Sequence, residues 1–482
     1  MTTRRELLVG SAALTASCMS CRRHDVEGTN VLVLCADQHH AGFMGSAGHP
    51  DAVTPNLDRL ALEGVSAARC MVTAPTCAPT RQSWLTGRYV AEHGQISNQF
   101  VLNPQSPSLV QGFADAGYDT ACFGKLHTWA DEGDGAFGFN RILNTHSAAW
   151  ADVRRGYRTP PLGAWETSPL SEQPLWDGMP FDGFNGRQAL DPAVVPDWVL
   201  AQETVRFLGE RRQQPFFCML SLQSPHFPFW LPKDIYGTFD PDAVSLPDMT
   251  PSGGLAALKQ MALHGFDTMT EAHHRLVLAR YLDATQFMDA LVGQVLDALD
   301  ALGLAQNTLV VYQADHGDQC GEKGLWLKSV CFDAAARKPL ILRMPGVLDA
   351  GRVYEGVVSE VDLLPTALGL CGLGVPASSS GLDLSAALVD DEPDRTHAFA
   401  GLHWPVEGGR PWMEMVTDGR YKLIRYAEEP PVFELYDLVD DPSESHDLAA
   451  ARVFSDVVHA LDAELTGHAE ALDPCPFPIV PV

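Results

Sequence analysis

The chain has 482 residues, of which 46% are hydrophobic and 20% charged, and its formal net charge is −28. That length exceeds what a single hydrophobic core usually serves, so one large domain plus a smaller one is expected. So acidic a surface disfavours nucleic acid and anionic membranes, and an anionic substrate would have to be drawn by local cations.

Arg4 and Arg5 precede a short apolar run through Val9 and Leu14. Residues 1–24 therefore read as an export signal of twin-arginine type, implying a periplasmic or extracellular protein, with Cys18 as an optional lipidation site. Eleven cysteines, an odd number without paired CxxC zinc spacing, do not indicate a disulfide framework. Cys35, Cys122 and Cys218 lie in apolar runs and are assigned to the core.

The apolar run 30–36 reads as a buried parallel strand that ends on Asp37, Gln38, His39 and His40. A helix over 54–61 follows, with Thr54 as its cap and Pro55 in its first turn. Segment 76–88 then sets Cys77 between Pro75 and Pro79 at the start of a helix-competent run, with Arg81 one turn further on the same face. A thiol at a helix N-terminus beside a cation is a candidate nucleophile, although a lone cysteine is more often a core residue.

A helix over 109–116 and a strand over 119–123 deliver Lys125 and His127. The Pro-, Gly- and Trp-rich stretch 129–196 is expected to be a functional insertion forming part of a substrate-pocket wall. Next come a helix over 197–212, a strand over 216–222 ending on Ser224, Pro225 and His226, a long helix over 275–302, and a strand over 308–312 ending on Asp315 and His316. Four strand ends thus hand over ionisable side chains, and open α/β sheets bind ligands outside the carboxyl ends of their strands. Beyond a small-residue linker at 376–380, the runs 421–426 and 433–438 alternate like antiparallel strands, and a helix starts near 450. The expected fold is α/β, a large mostly parallel sheet covered by helices on both faces (28–375), with a smaller C-terminal α+β domain carrying an antiparallel sheet (376–482).

Asp37, Asp315 and His316 make a site for a hard or borderline divalent cation, Ca²⁺, Mg²⁺ or Mn²⁺. Such a metal lowers the pKa of a coordinated oxygen and polarises a bound anion. Each residue taken singly is more often a capping Asp or a surface His; as a set around Cys77 they carry more weight.

The run Cys77-Ala78-Pro79-Thr80-Arg81, continued by Ser83, Leu85, Thr86, Gly87 and Arg88, resembles the signature of the type I sulfatases of the alkaline phosphatase superfamily. The resemblance continues in family order through Pro55-Asn56-Leu57-Asp58, Gly124-Lys125-Leu126-His127, Ser224-Pro225-His226, Asp315-His316-Gly317, Lys328 and Leu435-Tyr436-Asp437-Leu438. It implies that a maturation enzyme oxidises Cys77 to formylglycine, whose hydrated aldehyde supplies the nucleophilic oxygen. It also implies that Asp37, Gln38, Asp315, His316 and the modified Cys77 hold one divalent cation, Ca²⁺ first, with Mn²⁺ or Mg²⁺ as alternatives. Arg81 and Lys125 would orient the diol and neutralise charge, His127 would serve a diol hydroxyl, and His226 with Lys328 would face the leaving group and the sulfate.

Gln38 and His316 stand where many members carry Asp and Asn, which brings Mn²⁺ forward and resembles the phosphonate monoester hydrolase branch. The expected function is an exported sulfatase acting on an O-sulfate ester of a saccharide or small molecule. The alternatives are a phosphonate monoester or phosphodiester hydrolase, and an inactive binder of sulfated glycans stacking sugars on Trp129, Trp150, Trp165 and Trp176.

Overall fold

The first apolar run forms β1 (Asn30–Asp37), buried along its whole length. Leu32, Leu34 and Ala36 pack into one core, Val31, Val33 and Cys35 into another. A strand apolar on both faces has to lie inside a sheet covered on both sides. The structure is a computed structural model and describes residues 28–98, 100–101, 108–127, 136–144, 153, 186–189, 195–390, 395–403, 412–473 and 480–481. The export segment and the four insertion tryptophans lie outside the described residues.

There follow α1 (Pro55–Glu63), β2 (Val65–Met71), α2 (Cys77–Thr86), α3 (Leu109–Asp115), β3 (Asp119–Gly124), β4 (Arg141–Leu143), α4 (Pro196–Leu208) and β5 (Phe216–Pro225). Then come α5 (Glu271–Ala301), β6 (Thr308–Ala314), β7 (Leu340–Arg343), β8 (Arg352–Ser359) and α6 (Leu363–Leu370). The large, nine-stranded sheet runs β2-β7-β6-β1-β5-β3-β4, and β2 also pairs with β8 and with the two-residue strand Arg337–Lys338. From β6 to β4 every pairing is parallel, with Val33 opposite Met219 on one side and Val311 on the other. On the other flank β7 is antiparallel to both β6 and β2, so the sheet is mixed.

Two local expectations change. Thr54 stands at the N-cap of α1 without capping it, because its Oγ1 donates to Asp58 Oδ1 at 3.1 Å and accepts the Gly45 N–H at 2.9 Å. The helix expected to reach 212 stops at Leu208, where Gly209 follows, and Arg212 turns back over the Phe207 ring at 4.0 Å.

The C-terminal part is a four-stranded antiparallel sheet in sequence order, β9 (Ala398–Leu402), β10 (Met413–Thr417), β11 (Tyr421–Tyr426) and β12 (Val432–Asp437). Helix α7 (Ser455–Ala471) covers one face through Val458, Leu461 and Leu465 against Val416, Leu423 and Leu435. On the other side Lys422, fully buried, donates to Asp333 and to Glu444 Oε1 at 2.8 Å, while Glu444 Oε2 accepts the Asp333 N–H at 2.6 Å. Lys323 also donates to the Ser443 carbonyl. These bonds tie the small sheet to the segment that carries Lys328. The eight described cysteines are unpaired, buried thiols, and no described helix is long and apolar enough to cross a membrane.

Two buried histidines are expected to make the fold acid-sensitive. His93 Nδ1 accepts the Gln95 N–H at 3.0 Å and His274 Nδ1 accepts the Trp326 indole N–H at 2.9 Å, so both rings are held neutral. Burial, with help from Arg88, lowers His93 to about 3; burial, with His273, lowers His274 to about 4. The unfolded chain therefore takes up protons first as pH drops below the ordinary histidine value. The stabilisation is complete above about pH 6.5 and declines as pH falls toward the folded values. Melting temperature is expected to fall steadily from pH 7 to pH 4 in scanning calorimetry. His274→Gln, which keeps an acceptor for the indole, should make that descent shallower. A flat profile would contradict this account.

Candidate active site

Strands β6, β1, β5 and β3 are neighbours in the sheet, and their carboxyl ends lie side by side. Asp37 closes β1; Asp315 and His316 follow β6; His226 follows β5; Lys125 and His127 follow β3. The approach of β3 to β5 is so close that a Cβ at Gly124 would lie 1.9 Å from the Ser221 carbonyl oxygen. Glycine at φ 117 lets the Lys125 N–H donate to that carbonyl at 3.0 Å.

Helix α2 begins at Cys77, with Thr76 at the N-cap, and ends at Gly87 in the left-handed region. Cys77 is 1% exposed. Its Sγ lies 3.0 Å from His316 Nε2 and 3.9 Å from Asp37 Oδ1. The neighbouring His127, whose Nδ1 is buried without a hydrogen-bond partner among the described residues, helps to hold the thiol low. Arg81, one turn along the helix and also buried, donates Nε to Asp315 Oδ2 at 2.9 Å and its terminal nitrogens to the Lys125 carbonyl, Ser221 Oγ and, at 3.5 Å, Asp37 Oδ2. It braces both carboxylates. Lys125 Nζ also donates to Asp37 Oδ2.

The donor atoms of Asp37, Cys77, Asp315 and His316 all lie within 4.8 Å of one another, and these residues are buried. His316 Nδ1 donates to the Gly317 carbonyl at 2.8 Å, which turns Nε2 toward the cluster, the arrangement that orients a metal-binding imidazole. Lys125 and Arg81 donate to Asp37 Oδ2, while Asp37 Oδ1 faces the Cys77 sulfur. Two carboxylates and one imidazole whose donor atoms converge in this way fit a divalent cation. Gln38 stands beside this group, but its amide oxygen accepts from Lys328 Nζ and its amide nitrogen donates to Asp318. Lys328 Nζ also donates to His226 Nε2 at 2.8 Å, while His226 Nδ1 donates to the Phe227 carbonyl.

The family model for sulfatases matches residues 29–373. The chain belongs to the sulfatase family. A second model, for the C-terminal part of N-sulphoglucosamine sulphohydrolase, matches residues 321–471. An ulvan-active sulfatase of Formosa agariphila is 26% identical over 90% of this chain and 80% of its own length. An N-acetylglucosamine-6-O-sulfatase of Bacteroides thetaiotaomicron is 23% identical over 92% and 86%. The crystal structure of a phosphonate monoester hydrolase of Agrobacterium radiobacter superposes with a TM-score of 0.77, at 25% identity over 92% of this chain and 96% of that one.

The sulfatase site is strongly polarised. Burial raises the Cys77 thiol, but Lys328, Lys125 and His316 together bring it well below its ordinary value. Burial opposes charge on Asp315, yet His316 and Arg81 hold its carboxyl low. Burial disfavours charge on His316, and Asp315 and Cys77 outweigh it, so this imidazole is raised. Burial and then Lys328 lower His226, consistent with the neutral ring its hydrogen bonds require.

Three supporting residues carry no motif signal strong enough to find by sequence. Tyr281, in the middle of α5, donates to the Gln38 carbonyl at 2.7 Å and accepts the His40 N–H at 2.9 Å. Asp197 accepts the N–H groups of Gln223 (2.9 Å) and Ser224 (2.7 Å), fixing the turn before His226. Asp318, two residues beyond His316, is the one whose spacing offered a clue. A cavity of about 250 Å³ opens beside Lys125 and His226, walled by Leu200, Phe229, Trp230 and Leu231.

Proposed function

We propose that this sulfatase hydrolyses O-sulfate esters of saccharides outside the cytoplasm, using formylglycine made from Cys77 by a maturation enzyme and one bound divalent cation. The observation that carries the reading is the placement of Cys77 at the start of α2, inside the Asp37, Asp315 and His316 cluster and facing Lys125, Lys328 and His226. When present, the cation and the formylglycine diol supply Lewis-acid polarisation and the attacking hydroxyl.

The chain's own groups do the rest. Lys125 and Lys328 offset the dispersed charge of the sulfate, a role that strengthens as charge builds in the transition state. Arg81 keeps Asp37 and Asp315 fixed while they hold the cation. His127 stands against the Cys77 side chain as a proton acceptor for a diol hydroxyl. Lys328 and His226 share a hydrogen bond and hold the proton that a leaving alcohol needs. The cavity beside them, with the Trp230 ring on its wall, accommodates the organic part of the ester, and an aromatic face suits the apolar side of a sugar. Arg4 and Arg5 before an apolar run support export.

The test combines peptide mass spectrometry on Cys77 with desulfation of a panel of sulfated mono- and oligosaccharides, run beside aryl sulfate and phenylphosphonate esters. Formylglycine and saccharide desulfation are expected. A second reading, phosphonate monoester hydrolysis, draws on the Gln38 and His316 pair and on the structural likeness to the Agrobacterium enzyme. A preference for the phosphonate by orders of magnitude would establish it instead.

A further inference from the structure

Gln38 and the two residues that flank Lys328 occupy backbone that L-residues avoid. Gln38 has φ 64, and Lys328 sits between Leu327 at φ 71 and Ser329 at φ 72. Such conformations persist only where the surroundings hold them. Here Gln38 and the Leu327 end of the Lys328 turn are held by the same side chain. Asp318, 2% exposed, accepts the backbone N–H groups of Cys320 (2.8 Å) and Leu327 (3.0 Å) on Oδ1 and the Gln38 amide nitrogen on Oδ2. The Gln38 amide oxygen accepts from Lys328 Nζ on the opposite side.

Donor and acceptor chemistry leaves the amide one orientation. The Lys328 amine donates to the amide oxygen, which leaves the Gln38 nitrogen to donate to Asp318 and sets the oxygen toward the site. We propose that Asp318 is a positioning residue of this active site. It presents the Gln38 oxygen to Lys328 and to the divalent cation, and it holds the loop that carries Lys328. The cation arm rests on the sulfatase reading above. A carboxylate at position 38 would face Asp318 as a like charge, so the amide at 38 and the acid at 318 belong together.

Asp318→Asn separates this role from simple support. Asparagine keeps an oxygen for Cys320 and Leu327 but puts an NH₂ where Oδ2 was, so the Gln38 amide must turn over and set its own nitrogen against Lys328. Calorimetric titration of the metal-free protein with Ca²⁺ or Mn²⁺ is expected to show affinity reduced about tenfold or more. Inhibition by inorganic sulfate should weaken in parallel, with the melting temperature of the metal-free protein near that of wild type. Gln38→Ala should show similar losses, and adding Asp318→Asn to it should cost nothing further. If Asp318→Asn fails to fold, Gln38→Glu provides a second route: it should lose metal affinity, and pairing it with Asp318→Asn should restore part of it. Wild-type metal affinity and sulfate inhibition in Asp318→Asn, full additivity with Gln38→Ala, or no recovery in the Glu–Asn pair would each overturn the proposal. These are binding measurements, so a wild-type protein that binds metal yet turns over no sulfate ester would count against the functional reading alone.

Discussion

Replacing Cys77 by alanine is expected to lower turnover by on the order of 10⁴-fold or more, as removal of a covalent nucleophile does elsewhere. The fold should survive. The side chain is small, and its loss costs about 1 kcal/mol of apolar burial at most. Steady-state assays and a thermal melt on the same preparation check both halves. Serine is the weaker control, since some maturation systems of this family accept it. A Cys77→Ala protein within an order of magnitude of the wild-type rate would remove the nucleophile assignment, whatever the rest of the site looks like.

Arg81→Ala is expected to cost stability as well as activity. The guanidinium contacts Asp37 and Asp315, all three side chains are at most 1% exposed, and removing it leaves two buried carboxylates with Lys125 and His316 as their remaining cationic neighbours. Breaking a buried ion pair by deleting one partner typically costs about 3–5 kcal/mol. A divalent cation placed between the same carboxylates offsets part of that loss. The melting temperature of Arg81→Ala should therefore fall by several degrees in chelator and recover partly when Ca²⁺ or Mn²⁺ is added, with a larger metal-induced rise than in wild type. Equal rises in the two proteins would mean that the arginine and the metal do not share those carboxylates.

Much of this site could be read before any coordinates, for a simple reason. The buried strands announce themselves as unbroken apolar runs, and the residue following each run is fixed at the carboxyl edge of the sheet by covalent continuity. Asp37, Lys125, His226 and Asp315 were all found in that way. Cys77 and Arg81 share a face because a helix starts where Pro79 permits one. What the sequence hides are contacts that depend on packing. Tyr281 reaches Gln38 from the middle of a 31-residue helix whose pattern marks only a buried face. The antiparallel flank depends on β7, a four-residue strand too short to reveal its direction. The orientation of the Gln38 amide was equally illegible, because it is decided by Asp318, which is remote along the chain. Thr54 has the right identity for a cap, but a competing donor, the Gly45 N–H, occupies its hydroxyl oxygen.

The buried Lys422, Asp333 and Glu444 cluster bears on how this chain could be recombined. Asp333 lies five residues past Lys328, while Lys422 and Glu444 belong to the small sheet and the turn beyond it. A chimera that grafts the C-terminal portion of another sequence here would inherit the reactive centre but lose the counter-ions that seat its edge. An exchange junction placed between the two portions would have to carry these three positions across as one unit. The small sheet is better regarded as a part of the scaffold than as an interchangeable cassette.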